Sequence, residues 1–222
     1  MIITILKAIG IWAVIFIPGG IAGSIASRII PVERKILSGV TSQLMFITMS
    51  LVITLFFTDG LRLSGLQFSS CCVIRAVLYS GALAITITLT LIVVQKEHNY
   101  EPPFLPSSLI EAVIVAFLLA PFSEELMYRG VVEGYLLSNA SQFIAILIPA
   151  ILFSLMHIIP FRDAPKPVFA TLLIGAFLLG LVAGYYRALS NSIIPAFASH
   201  SIMNVIGFLQ YYWEKRIYTG KL

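Results

Sequence analysis

The chain has 222 residues, of which 59% are hydrophobic and only 11% are charged, and its formal net charge is +4. With a mean hydropathy of +0.99, this composition excludes a soluble globular protein and requires a lipid bilayer as the environment. The 14 Lys and Arg side chains are scattered between apolar stretches. Because they form no basic stripe, we do not expect nucleic acid as a partner.

Apolar stretches of about 20 residues, the length that crosses a bilayer, recur along the whole chain. Seven spans are predicted, at residues 8–27, 39–57, 71–95, 108–137, 142–159, 168–186 and 191–211. The predicted fold is therefore all-α, a polytopic transmembrane helix bundle. The fourth span is longer than an upright crossing needs and contains Pro121 and Gly130. We expect it to kink, tilt or divide, which leaves an eighth helix open.

The most polar connection, residues 97–103, separates three helices without motifs from four that carry them. We expect residues 1–104 to form the N-terminal transmembrane helices and residues 105–222 a helical core that carries the motifs, within one integrated membrane domain.

The Lys and Arg residues also predict the orientation of the bundle. On one side of a seven-span bundle lie Arg28, Arg34, Lys35, Lys96, Arg162, Lys166, Lys215, Arg216 and Lys221, and on the other lie Lys7, Arg62 and Arg187. Because the cytoplasmic side carries the excess of positive charge, the C-terminus is expected in the cytoplasm, with the protein in the cell membrane.

The fourth predicted span contains five charged side chains. Two of them, Glu111 and Glu133, are expected to be interfacial or paired and not catalytic. An ionisable group near the middle of a bilayer is costly, so each one needs a partner or a function. Glu125 and Arg129 are four residues apart, one helical turn on the same face, where a carboxylate and a guanidinium can pair. Glu124 is rotated by about 100° away from that pair. This predicts that Glu124 is free to act as a general base.

Two further polar motifs lie on later spans. His157 follows Phe153 by four residues on the fifth span, and Asn204 follows His200 by four residues on the seventh, so each pair shares a helix face. Counted from the tight turn between the fourth and fifth spans, Glu124 and His157 both lie at a depth of about 21 to 24 Å. His200 and Asn204 lie about 15 to 21 Å along their helix from the same side of the membrane. The three motifs are therefore expected to meet.

Together the three motifs resemble the signature of the type II CAAX prenyl endopeptidase family, part of the superfamily of CAAX proteases and bacteriocin-processing, or Abi, proteins. In this sequence they read Glu124-Glu125-x-x-x-Arg129-Gly130, Phe153-x-x-x-His157 and His200-x-x-x-Asn204. The resemblance covers roughly residues 105 to 211, and the first three helices resemble no family. Members that process peptide precursors or give bacteriocin self-immunity leave the substrate class open.

The resemblance implies an intramembrane endopeptidase without a cofactor. Its substrate would be a membrane-anchored or lipidated, CAAX-like protein or peptide. Carried over, Glu124 is the base and His157 its partner, while His200 and Asn204 stabilise the oxyanion. Four further residues would support the site. Glu125 and Arg129 would be structural, and Phe153 lies on the same helix face as His157. Tyr128 lies one turn from Glu124, and packing is its preferred role over orienting Glu124.

Three alternatives compete with this interpretation. Glu124, His157 and His200 could instead bind Zn²⁺ with a water in the fourth position, as in a metalloprotease. The same ionisable groups could form the proton relay of a proton-coupled transporter, although the sequence lacks the inverted repeat typical of carriers. A non-catalytic membrane scaffold would leave both histidines without a purpose.

Overall fold

The computed structural model describes residues 1–30, 36–57, 64–95, 100, 106 and 108–219. Across these residues the regular secondary structure is helical and contains no β-strand, which confirms the predicted all-α bundle. The N-terminal part consists of three long helices, α1 (Ile2–Ile29), α2 (Ile36–Phe57) and α3 (Val73–Gln95). Each is almost entirely apolar, so lipid and neighbouring helices can cover it on every side.

The predicted fourth span forms one continuous helical run, residues 109–139, which we call the motif helix. It comprises α4 (Leu109–Glu111), a π-helical segment π1 (Ala112–Leu119), α5 (Ala120–Glu125), a second π-helical segment π2 (Leu126–Val132) and α6 (Glu133–Asn139). Pro121 has no backbone N–H to donate to the preceding turn, and π1 lies directly before it. The motif helix therefore adjusts its winding at the proline and does not divide.

Four helices complete the chain: α7 (Gln142–Met156), α8 (Ile158–Phe161), α9 (Lys166–Ser190) and α10 (Ile194–Thr219). The turn between the motif helix and α7 is short, because the side chain of Ser141 accepts a hydrogen bond from the backbone N–H of Ile144 and so caps α7. The tight hairpin expected at this point is confirmed. The C-cap of α9 is Asn191, whose φ of 58° is left-handed. This residue ends the helix and lets the chain reverse direction into α10.

Five stretches among the described residues are long and apolar enough to cross a membrane: α1, Ile36–Phe56, Val73–Val94, Gln142–Phe161 and α9. The protein is therefore an integral membrane protein. The motif helix and α10 pack among these helices and carry the polar motif residues. The count of seven spans, or eight, stays a prediction.

The orientation also stays a prediction, because Arg34, Lys35, Arg62, Lys96 and Lys221 lie outside the described residues. One residue of the charge count was misplaced. Arg187 was expected in a loop, but α9 continues to Ser190 and the Arg187 side chain is only 1% exposed. It donates to the carbonyl oxygen of Arg129 at 3.2 Å, so this cation contributes to the interior of the bundle.

Two glycines one turn apart on α9 allow close packing of the core helices. A Cβ at Gly180 would stand 2.9 Å from the Cα of Ala150 on α7, and one at Gly184 would stand 3.0 Å from the carboxylate of Glu133 on α6. Small residues at this spacing let helix backbones approach inside a membrane. Helix α9 thereby contacts both helices that carry the first two motifs.

We expect Gly180→Ala to destabilise the protein by about 1 to 3 kcal/mol, because the added methyl group meets backbone atoms of α7 that can yield only if the helices separate. Gly20→Ala is the matched control, since a Cβ at Gly20 meets nothing within 4 Å. Unfolding in detergent–SDS mixtures measures both variants. Equal stability of the two would contradict the close approach of α9 and α7.

Candidate active site

The centre of the site is the carboxylate of Glu125, which is fully buried. On its own helix it pairs with Arg129, whose Nε lies 3.2 Å from Oε2. Oε1 lies 2.9 Å from Nδ1 of His200 on α10. A carboxylate only accepts, so Nδ1 of His200 must carry the proton of this hydrogen bond. Glu125 thus joins the first motif to the third and fixes which edge of the His200 ring faces away from it.

The second nitrogen of His200 faces Glu124. Nε2 of His200 lies 3.9 Å from Oε2 of Glu124, and this Oε2 has no hydrogen-bond partner among the described residues. The other carboxylate oxygen of Glu124, Oε1, accepts from Nε2 of Gln43 on α2 at 3.2 Å. The Glu124 side chain keeps 10% of its exposure. Gln43 therefore holds Oε1 of Glu124, and Oε2 is left without a hydrogen bond from the described residues.

Phe153 contacts both histidines and the arginine of the site. Its buried ring packs edge-on against His200, with centroids 5.3 Å apart, and lies 4.7 Å from the ring of His157. The Arg129 guanidinium stands over the Phe153 ring at 4.8 Å, an attractive cation–π geometry. The second motif thus contacts both others through one ring.

His157 is the C-cap of α7, at the break before α8. Its Nδ1 lies 2.7 Å from the carbonyl oxygen of Phe153. Because a carbonyl oxygen cannot donate, Nδ1 carries the proton, and in the neutral ring Nε2 is the acceptor. His157 is half-buried and interacts electrostatically with Glu124. In the neutral ring, Nε2 is therefore the atom of His157 that can accept a hydrogen bond from a water.

Asn204 and Ser201 on α10 contact the backbone of the motif helix. Nδ2 of Asn204 donates to the carbonyl oxygen of Ala116 at 2.8 Å, and Oγ of Ser201 donates to that of Phe117 at 2.8 Å. These two carbonyls lie five and four residues before Pro121, which has no N–H to offer them. Neighbouring side chains commonly satisfy such carbonyls in membrane helices. Asn204 therefore has a backbone partner that the sequence did not reveal.

Tyr128 is fully buried and connects α1 to the site. Its hydroxyl accepts from Nε1 of Trp12 at 3.0 Å and lies 3.3 Å from the carbonyl oxygen of Leu152 on α7, to which it donates. Three helices meet at this one hydroxyl. These two hydrogen bonds join α1 and α7 to the motif helix and do not involve Glu124.

A third buried acid lies one turn beyond Arg129. Glu133 has no exposed surface, and its oxygens have no hydrogen-bond partner within the described part of the chain. The charges of Arg129 and Arg187 attract it. Glu133 therefore lies in the interior of the bundle and not at the interface, and its pairing stays a prediction.

Seven of the eight residues that the sequence singled out form one contact cluster, which Tyr128 joins through the Phe153 ring. Asn204 lies one turn from His200 and contacts the Ala116 carbonyl outside that cluster. The sequence missed Gln43, Trp12, Ser123 and Ser201. A usable signal existed for Gln43, because an amide within an otherwise apolar span is costly unless it has a partner.

Comparison with known proteins gives one finding. Residues 106–206 match the model of the family described as type II CAAX prenyl endopeptidase Rce1-like. The match spans all three motifs, so the family resemblance is confirmed over this segment, and the family is one of peptidases. No curated protein and no solved structure matched the chain. The fold and the match together describe a polytopic helical membrane protein whose motif-bearing segment, residues 106–206, matches the Rce1-like type II CAAX prenyl endopeptidase family model.

The donor atoms of the site are of types that zinc binds. In both histidines Nδ1 is hydrogen-bonded to an oxygen, so Nε2 would be the zinc-binding nitrogen, as is common in zinc-ligating histidines. In the part of the chain that the structure describes, however, no group of three or more His, Cys, Asp or Glu side chains could hold a metal ion. The zinc alternative stays a prediction for experiment.

We expect Arg129→Gln to destabilise the protein by about 3 to 5 kcal/mol, because it leaves the buried Glu125 carboxylate without its counter-charge. It also removes the donor that Nη2 of Arg129 provides to the carbonyl of Gly180 at 3.0 Å. Arg162→Gln is the control, since Arg162 pairs with Asp163 at the surface and is 73% exposed. Denaturation in detergent measures both. A tolerated Arg129→Gln would contradict the structural role of the pair.

Proposed function

We propose that the protein is an intramembrane endopeptidase in which Glu124 activates a water for attack on a peptide bond. The observation that carries the proposal is the unpartnered Oε2 of Glu124, 3.9 Å from Nε2 of His200. That separation is too long for a direct hydrogen bond and short enough for one water to contact both atoms. The family match of residues 106–206 supports a peptide or protein substrate.

The proposed reaction begins with a water between Glu124 and His200. This water accepts a hydrogen bond from the protonated Nε2 of His200 and donates one to Oε2 of Glu124 and the other to Nε2 of His157. As the water oxygen bonds to the scissile carbonyl carbon, its proton moves to Glu124, and the carbonyl electrons become the oxyanion. Collapse of the tetrahedral intermediate breaks the C–N bond, and the proton on Glu124 leaves with the amine. No oxidant, reductant or second substrate is needed.

The oxyanion would be stabilised by His200 and Asn204. His200 already donates from Nδ1 to Glu125, so this role requires a second proton on Nε2. The amide group of Asn204 has two N–H bonds, and donation to Ala116 uses one. The other would remain for the oxyanion, so Asn204 can anchor the motif helix and assist the reaction at once.

The substrate we propose is a membrane-anchored or lipidated protein with a CAAX-like end. The basis is the family description together with a site built from helices that carry lipid-facing apolar surfaces. We further propose the cell membrane as the location and the cytoplasm for the C-terminus, from the excess of positive charge on one side of the bundle.

The purified protein should cleave a membrane-anchored CAAX-like peptide, and Glu124→Gln and His157→Asn should each lower kcat at least about 100-fold. Both substitutions are conservative. In Glu124→Gln the new amide oxygen can still accept from Gln43. In His157→Asn the new amide nitrogen can still donate to the Phe153 carbonyl, but the second ring nitrogen is lost. Mass spectrometry of the products and the melting temperature in detergent are the measurements.

Thr171→Val is the control for that experiment, because the Thr171 hydroxyl donates to the carbonyl oxygen of Pro167 within α9, away from the motifs. It should keep full activity. Full activity in Glu124→Gln would refute the assignment of the base. If no peptide product forms but a pH gradient drives flux in liposomes, and Glu124→Gln abolishes it, the proton-coupled transporter would replace the peptidase.

Cleavage should continue after exhaustive chelation, and metal analysis of the active protein should find less than one zinc per chain, since Glu124 and the two imidazoles suffice for the proposed water activation. The control is a chelated sample to which Zn²⁺ is restored. Activity that disappears on chelation and returns with zinc would establish the metalloprotease alternative, with Glu124, His157 and His200 as ligands.

A further inference from the structure

Gln43 lies on α2, far outside the segment 106–206 that matches the family model. Its side chain nevertheless reaches the candidate base: Nε2 donates to Oε1 of Glu124 at 3.2 Å. The oxygen of the same amide accepts from the hydroxyl of Ser123 on α5. One amide therefore contacts two consecutive side chains of the first motif region.

The chemistry of the two partners fixes the orientation of this amide. An ionised carboxylate can only accept, so the amide nitrogen must face Glu124. The amide oxygen then faces Ser123, whose hydroxyl can donate to it. Turned by 180°, the amide would set its oxygen against the oxygen of Glu124. The Ser123 hydroxyl also lies 2.9 Å from the carbonyl oxygen of Ala120, so its single proton is shared between these two acceptors.

The consequence for Glu124 is a fixed plane for its carboxylate. The terminal torsion of a glutamate is otherwise broad and roughly two-fold, so either oxygen could turn toward His200. With Oε1 held by Gln43, it is Oε2 that stands without a partner, 3.9 Å from Nε2 of His200. A base whose reacting oxygen is already aimed loses less in reaching the transition state.

We propose that Gln43 is a positioning residue that aims the free oxygen of Glu124 at the reacting water, and that helix α2 thereby completes a site whose other groups lie in the family segment. The proposal rests on the proposed peptidase function. A purely structural role would be different: Gln43 would then hold α2 against the motif helix and affect stability without affecting the chemical step.

The experiment compares Gln43→Met, which keeps the length of the side chain but cannot donate, with Thr48→Val on the same helix. Thr48 is exposed, and its hydroxyl donates to the carbonyl oxygen of Leu44 on the same helix. On a membrane-anchored CAAX-like peptide, Gln43→Met should lower kcat by about 10- to 100-fold, with KM within about twofold and a similar melting temperature, because only the aim of the base is lost. Ser123→Ala should lower kcat less, and Thr48→Val should not change it.

An infrared measurement adds a result that does not depend on cleavage. The difference spectrum between the wild type and Glu124→Gln isolates the carboxylate band of Glu124. That band should shift when Gln43→Met removes its hydrogen bond, and it should not move in Thr48→Val. If the wild type cleaves no peptide, the proposed function fails, and the infrared shift alone then decides whether Gln43 holds Glu124.

Three results would overturn the positioning role. The first is an unshifted carboxylate band in Gln43→Met. The second is a shifted band with an unchanged kcat. The third is a rise in KM at constant kcat, which would make Gln43 a substrate contact. A fall in kcat together with the shifted band supports the proposal.

Discussion

The site depends on a single buried carboxylate. Glu125 meets the guanidinium of Arg129 at 3.2 Å and the imidazole of His200 at 2.9 Å, and all three side chains are almost fully excluded from the surface. In a low-dielectric interior such a group is tolerable only while its partners stay in place, since the loss of either leaves a charge uncompensated. The interaction therefore holds α10 against the motif helix. It also fixes the ring orientation of His200, which places Nε2 of His200 opposite Glu124.

The surrounding side chains and helices bury the cluster of Glu125, Arg129 and His200. Phe153 contacts both histidines and Arg129, and Gly180 gives α9 the space to approach α7 and to offer its carbonyl to Arg129. At the other end of the site, Pro121 withholds one backbone N–H, and α10 donates to two carbonyls of the turn before it. A residue type that usually breaks a helix thus becomes the point at which two helices are joined. The same contacts that stabilise the bundle set the geometry of the polar groups.

Much of this could be predicted from the sequence, for identifiable reasons. The four-residue spacing of Glu125 and Arg129 fixed their pairing, because it depends only on helix geometry. Hairpin depth placed Glu124 near the second and third motifs in the same way. The use of Glu125 as the partner of His200 could not be foreseen, because it depends on how α10 is rotated, and helical periodicity does not give rotations between helices. Gln43 was missed because its contact spans 81 positions of the chain, and the burial of Arg187 was missed because α9 runs further than its apolar stretch.

The most direct test of the account is the protonation of His200 in the folded protein, read by nitrogen NMR of histidine-labelled samples in lipid and assigned by comparison with His200→Asn. Since Glu125 can only accept from the ring, the account predicts a proton on Nδ1 of His200 that is hydrogen-bonded and slow to exchange. A His200 ring whose Nδ1 carries no proton would contradict it, because the bond that joins the first motif to the third would then not exist.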